Sequence, residues 1–201
     1  MKKTIVAFIL CLCSRSVFAQ VQQPEPMYRV NRTIELSASL GLFAYNAVGF
    51  KLLNSKPRLD ASEIAALNTD DIWAFDRIST RQSAAYRHKA ADISDKFMNA
   101  SILAPFLLLF DDGIRRHWQD LFVLYAQTHA VNTSLYVMAA GATDRLRPFV
   151  YNQDVSIEDK MGAGTRISFF SGHVSTPAAA SFFAAGVFSD FHPGLGAKKY
   201  L

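Results

Sequence analysis

Two short stretches of the sequence carry residue types that suit the binding of a tetrahedral anion. The first, "RLRPF", contains Arg147, whose planar, permanently charged guanidinium matches the oxygens of a phosphate group. The second, "SFFSGHVST", places Ser171 and Gly172 before an alanine-rich helical run, so their backbone amides fall at a helix N-terminus, where anions bind. His173 could protonate a leaving oxygen near neutral pH. These residues together predict an oxyanion pocket.

Each stretch also has a plainer interpretation. An Arg-Pro pair such as Arg147-Pro148 is typical of a helix end with a solvated charge. A Ser-Gly-His sequence is typical of a helix cap. His129, inside an apolar block, is interpreted as a hydrogen-bonded core histidine. The five histidines are scattered, and no two are spaced i, i+4, so the sequence predicts no metal site and no cofactor.

The elements that must position these residues are helices. The chain contains four long apolar blocks, and no alternating pattern of useful length predicts a β-strand. The blocks are residues 36–50, 97–110, 121–143 and 167–189. Two helix-start signals, "DASE" and "NTDD", lie in the polar region between the first two blocks. The sequence therefore predicts an all-α fold.

The N-terminus predicts export. Residues 1–19 combine two lysines, an apolar stretch and a small-residue site ending at Ala19, as in a cleaved secretory signal peptide. Both cysteines lie inside this segment, so the mature chain is expected to form no disulfide. The 21 basic residues of the chain lose three with the signal, leaving 18 against 17 acidic residues. This balance excludes a nucleic-acid partner. Residues 20–54 form a tail with the first apolar helix, and residues 55–201 form the main domain.

Two of the blocks raise the question of a membrane. Residues 121–143 and 167–189 are long enough to cross a bilayer, although polar side chains in the first suit a buried helix equally well. If the cleaved chain begins outside, two spans or none before Arg147 leave that residue outside. We therefore expect either an inner-membrane protein with its site facing the periplasm or a periplasmic protein, of undetermined oligomeric state.

The two motifs together resemble those of the type 2 phosphatidic acid phosphatase family, whose superfamily includes bacterial acid phosphatases and vanadium haloperoxidases. That pattern reads K-x6-R-P, then P-S-G-H, then S-R-x5-H-x3-D, on a bundle of packed helices. The resemblance implies that Arg147 binds phosphate and that Ser171 and Gly172 add hydroxyl and backbone donors. It also implies that His173 acts as general acid on the leaving group or helps to stabilise the transition state.

This sequence departs from the family pattern at three points. The lysine of the first motif falls on Ala140, and Arg145 is the nearby cation that would replace it. The proline of the second motif is Phe170. The third motif, which supplies the family's histidine nucleophile, does not occur after His173, where His192 is the sole remaining histidine.

These departures predict a C-terminally incomplete member of the family that lacks its last helices and is inactive alone. The parent enzyme would hydrolyse a phosphate ester or diphosphate of a lipid or a small organic substrate, without a metal. Two alternatives remain open. One is a degenerate, non-catalytic exported helical protein with an anion pocket, and the other is a vanadium-dependent haloperoxidase.

Overall fold

The structure, a computed structural model, describes residues 27–200 of the chain. The predicted signal peptide, residues 1–19, lies outside the described residues. Throughout residues 27–200 the regular secondary structure is helical, without strands. The predicted all-α fold is therefore confirmed.

Eight α-helices, joined by 3-10 turns and loops, make up the described part of the chain. They are α1 (Arg32–Asn54), α2 (Ala61–Ala65), α3 (Arg77–Thr80), α4 (Arg87–Leu103), α5 (Asp112–Arg115), α6 (Trp118–Ala142), α7 (Ile157–Lys160) and α8 (Gly172–Phe191). The 3-10 turns are Thr69–Asp71, Ala84–Tyr86, Ala104–Phe110, Pro148–Tyr151 and Pro193–Tyr200. The long helices α1, α4, α6 and α8 form the bundle, and the short helices lie in its connections.

The apolar blocks match the long helices with two corrections. Block 97–110 is not one α-helix, because α4 ends at Leu103 and Pro105 lies at the start of a 3-10 turn, where proline needs no amide hydrogen. The prediction of a helix over residues 167–189 is wrong for its first five residues, since α8 begins only at Gly172. The helix-start signal at "DASE" is a complete capping box between Asp60 and Glu63.

Helix α1 packs directly on α6. A Cβ built on Gly49 would lie 2.2 Å from Cγ1 of Val137, so only a glycine allows this approach. The buried Asn46 side chain donates from Nδ2 to the carbonyl of Ala130 at 3.0 Å and accepts from Oγ of Ser134 at 2.9 Å. Both ends of the amide are therefore satisfied inside the interface.

Helix α8 packs on another side of α6. Ile114, Leu121 and Val187 form a buried cluster between α5, α6 and α8. The hydroxyl of Tyr125 on α6 donates to the carbonyl of Ile102 on α4 at 2.8 Å. Helix α6 therefore forms the middle of the bundle and contacts α1, α4 and α8.

Polar side chains close the end of the bundle where α6 finishes. Nζ of Lys56 donates to the carbonyls of Ala140 and Thr143 at 2.8 and 2.6 Å, which caps α6 with a positive charge. Arg166 pairs with Glu63 and, at 2.8 Å, with Asp144. The hydrogen bond that this guanidinium donates to Glu63 is the main reason why its pKa is raised. These contacts fix the loop between α6 and α8 to the bundle.

Two stretches of the described residues are long and apolar enough to cross a membrane, namely α1 and the continuous helical segment Ala84–Phe110. Their outer faces are exposed, as Leu40 and Phe110 illustrate with 67% and 84% of their surface accessible. The blocks favoured from the sequence, residues 121–143 and 167–189, do not meet these criteria. They lie instead in α6 and α8, which pack against each other in the bundle.

Candidate functional site

The loop between α6 and α8 folds back on itself and brings the two sequence motifs together. The backbone amide of Arg147 donates to the carbonyl of Thr165 at 2.8 Å, and that of Ser168 donates to the carbonyl of Arg145 at 3.1 Å. Nε of Arg147 also donates to the carbonyl of Gly164 at 3.0 Å. Gly164 has a positive φ of 79°, which glycine adopts without strain. This pairing places the first motif beside the segment that leads into α8.

Arg147, Ser171, Gly172 and His173 line one cavity of about 1170 Å³. Its remaining wall comes largely from apolar side chains of α1, α4 and α6, and Arg147 and His173 are exposed at its edge. The sequence predicted that these four residues serve one anion. The structure places them around one space.

Ser171 occupies the N-cap position of α8 but makes no capping hydrogen bond with its hydroxyl. The amides of Gly172 and His173 open the helix and have no intrahelical acceptor. The first intrahelical bond of the turn comes from Val174, whose amide donates to the carbonyl of Ser171 at 3.1 Å. A hydroxyl and two amides are therefore free to bind an anion at the positive end of the α8 dipole.

His173 contacts a carboxylate that the sequence analysis missed. Its Nε2 lies 2.6 Å from Oδ1 of Asp95 on α4. A carboxylate in this position holds the ring in one orientation. Asp95 is one of several charged residues on the polar half of α4, and no spacing rule links it to a histidine 78 residues away.

The structure does not bring Arg145 into this cavity. Its guanidinium pairs with Asp76 and lines a neighbouring cavity of about 760 Å³. The position of the family lysine does not line the cavity either, because Ala140 is fully buried against Leu53 and Val137 between α1 and α6. Neither position supplies a cation to the space beside Arg147.

His192 lies at the opposite end of α8 from His173. Its Nε2 is 3.1 Å from Oδ2 of Asp111, and hydrogen bonds from backbone amides, chiefly that of Ile114, lower the pKa of this carboxyl. A helix of 20 residues is about 30 Å long. His192 therefore cannot attack a phosphorus atom bound at the start of α8.

His129 differs from its sequence interpretation as a hydrogen-bonded core histidine. It lines the cavity, and its Nε2 is buried without a hydrogen-bond partner in the described residues. The ring packs edge-on against Tyr125, with centroids 4.6 Å apart. Burial lowers the pKa of His129 below its usual value of 6.5, which favours the neutral ring.

This burial of His129 predicts a pH dependence of stability. The unfolded chain binds a proton at His129 near pH 6.5, and the folded chain binds it only at lower pH. Burial of the neutral His129 ring therefore does not penalise the folded state above pH 6.5, and the folded state loses stability as the pH falls below that value. Urea denaturation at about pH 7.5 and about pH 5.5 should show a smaller loss of stability in His129→Gln than in the wild type. Equal losses would contradict this role of His129.

Gly172 offers a test of the anion site that separates binding from folding. An added Cβ would meet only Tyr136, at an ordinary 3.8 Å. We expect Gly172→Ala to keep or raise the stability, by at most about 1 kcal/mol, because alanine favours a helix. Affinity for inorganic phosphate should fall at least about fivefold, because the methyl group narrows the approach to the amides. Thermal unfolding and calorimetric titration measure the two effects, and unchanged affinity would contradict anion binding at Gly172.

Within residues 27–200 no group of three or more histidine, cysteine or acidic side chains could hold a metal ion. The arrangement suits an anion held by a guanidinium, a hydroxyl and backbone amides. Comparison of the chain with protein-family models, with curated proteins and with solved structures finds no match.

Proposed function

We propose that this chain carries the phosphate-binding part of a hydrolase that acts on a phosphate ester or diphosphate, of the type 2 phosphatidic acid phosphatase kind. One observation carries the proposal. Arg147 has no carboxylate partner among the described residues, and it lines the same cavity as His173 and the amide end of α8. A guanidinium without a carboxylate partner, in the same cavity as a helix N-terminus, leaves positive charge that an anion would neutralise.

The donors around the cavity suit the three outer oxygens of a phosphoryl group. Nε of Arg147 donates a hydrogen bond to the Gly164 carbonyl. This bond fixes the plane of the guanidinium and leaves both terminal nitrogens for a bidentate contact with the anion. The Ser171 hydroxyl and the amides of Gly172 and His173 supply the remaining donors. Such fixed donors stabilise the charge that the outer oxygens carry during phosphoryl transfer.

His173 is the proposed general acid. Its Nε2 is held by Asp95, so that Nδ1 is left to donate a proton to the leaving oxygen. His192 lies at the other end of α8 and does not reach this site. His129 also lines the cavity, but it lies on α6, before both motifs, whereas the nucleophile of the family pattern follows the second motif. We therefore propose that the chain binds phosphate but does not turn over a phosphomonoester by itself.

We further propose that the protein is exported and sits at a membrane, with the site on the outer side. Both apolar candidates, α1 and Ala84–Phe110, have one end where α6 finishes, which is the end that carries Arg147. A cleaved chain that begins outside and crosses the bilayer through α1 would carry this end to the inner side, so a site on the outer side requires that α1 and Ala84–Phe110 rest against the membrane instead of crossing it. Co-flotation with phospholipid vesicles tests this placement, and a chain that stays with the soluble fraction would contradict it.

The experiment for the activity combines binding and turnover. The purified chain should bind inorganic phosphate and show no hydrolysis of p-nitrophenyl phosphate. Absence of phosphate binding would overturn the proposed site. Hydrolysis that His173→Ala abolishes would instead contradict the expectation that a further motif is needed.

Neither Ala140 nor His192 lines the cavity, which favours the second candidate, a non-catalytic exported protein that retains an anion pocket. The haloperoxidase alternative would share the same residues with vanadate in place of phosphate. Vanadate-dependent oxidation of bromide tests it directly.

A further inference from the structure

The cavity contains a second guanidinium that belongs to neither sequence motif. Arg87 opens α4 and lines the same space as Arg147. Its Cζ lies 4.7 Å from the centroid of the Phe149 ring. Phe149 follows Arg147 by two residues, in the 3-10 turn Pro148–Tyr151. The chain segment that carries the first cation therefore also holds the second.

The environment of Arg87 fixes its side chain without using all of its donors. Nη2 lies 2.5 Å from Oδ1 of Asp159 and 3.0 Å from Nε2 of His88. The hydrogen bond from Arg87 is the main reason why the pKa of Asp159 is lowered. Both polar contacts use one nitrogen, so that Nε and Nη1 remain as donors. A guanidinium held by a ring and a carboxylate loses little entropy on binding an anion.

We propose that Arg87 is the second phosphate-binding cation of this site, in the role that the sequence analysis gave to Arg145. This inference rests on the proposed function and deepens it, because it names a second guanidinium that donates to the bound phosphate. Arg87 adds the donors Nε and Nη1 to those of Arg147, while Nη2 stays with Asp159. Arg145 is paired with Asp76 beside a different cavity, whereas Arg87 lines this one.

The test must separate an effect on phosphate binding from an effect on the fold, because the ion pair between Arg87 and Asp159 also joins α4 to α7. The experiment is calorimetric titration of the full chain with inorganic phosphate in five forms. These are the wild type, Arg87→Gln, Arg145→Gln, Arg147→Gln and Asp159→Asn. Arg87→Gln and Arg145→Gln change the net charge equally, so they form a matched pair.

Arg87→Gln is expected to weaken phosphate binding at least about tenfold, the loss typical of a hydrogen bond to a charged group. Arg145→Gln should stay within about twofold of the wild type, and Asp159→Asn should bind as well as the wild type or better, because it removes a nearby negative charge. Wild-type affinity in Arg87→Gln would overturn the inference. So would an equal loss in Asp159→Asn, since the effect would then come from the broken ion pair.

Three further outcomes are decisive. If Arg87→Gln does not fold, Arg87→Lys replaces it, since lysine keeps the charge and the pair with Asp159 but lacks the fork. A loss of about fivefold or more in Arg87→Lys supports the inference, and wild-type affinity overturns it. If Arg147→Gln loses binding while Arg87→Gln does not, only this inference fails. If the wild type binds no phosphate, the proposed function fails with it.

Discussion

Replacement of Arg147 by Gln is expected to lower the affinity of the chain for inorganic phosphate about 100-fold. The change removes a positive charge and two donors from an anion site, and truncating one partner of such a charge pair costs about 2–5 kcal/mol. The folded state should lose little stability. The Arg147 side chain makes one hydrogen bond, to Gly164, and its backbone bond to Thr165 does not depend on the side chain.

The matched control for this prediction is Arg116→Gln. Arg116 follows α5, and its Nε donates to the carbonyl of Asp112, at the end of the bundle away from the cavity. Both variants change the net charge equally, so a general electrostatic effect would weaken both. Calorimetric titration at fixed salt should show the large loss in Arg147→Gln alone. Equal affinities in the two variants would mean that phosphate does not bind at Arg147.

The second large effect is expected at the α1–α6 contact. Gly49→Ala should lower the free energy of unfolding by about 2–3 kcal/mol, because the new methyl group would lie 2.2 Å from Cγ1 of Val137. The two helices can admit it only by moving apart. That movement would also stretch the hydrogen bonds of Asn46, which is buried in the same interface.

Gly41 provides the control on the same helix. A Cβ at Gly41 meets nothing within 4 Å, so Gly41→Ala should stabilise the protein by up to about 1 kcal/mol through helix propensity alone. Thermal unfolding followed by circular dichroism would compare the two variants. Equal stability of Gly41→Ala and Gly49→Ala would contradict the close approach of α1 and α6.

The sequence alone determined the local features of this protein. Apolar blocks without alternation predicted helices, and the Asp60–Glu63 capping box predicted where α2 begins. These features depend on residues within one or two turns of each other, so that spacing and side-chain chemistry are sufficient. Local sequence patterns of the same kind predicted that Arg147 and the start of α8 suit the binding of an anion.

Only the tertiary structure decided which of these groups share a space. The loop pairing between Arg147 and Thr165 brings the two motifs together, while Arg145, two residues away, turns to Asp76. From α4, far away in sequence, Asp95 contacts His173 and Arg87 lines the cavity. Such contacts arise from the packing of helices against one another, and no periodicity along the chain encodes them. Residue types suited to an anion could thus be recognised in the sequence, whereas the packing of the bundle decided their partners.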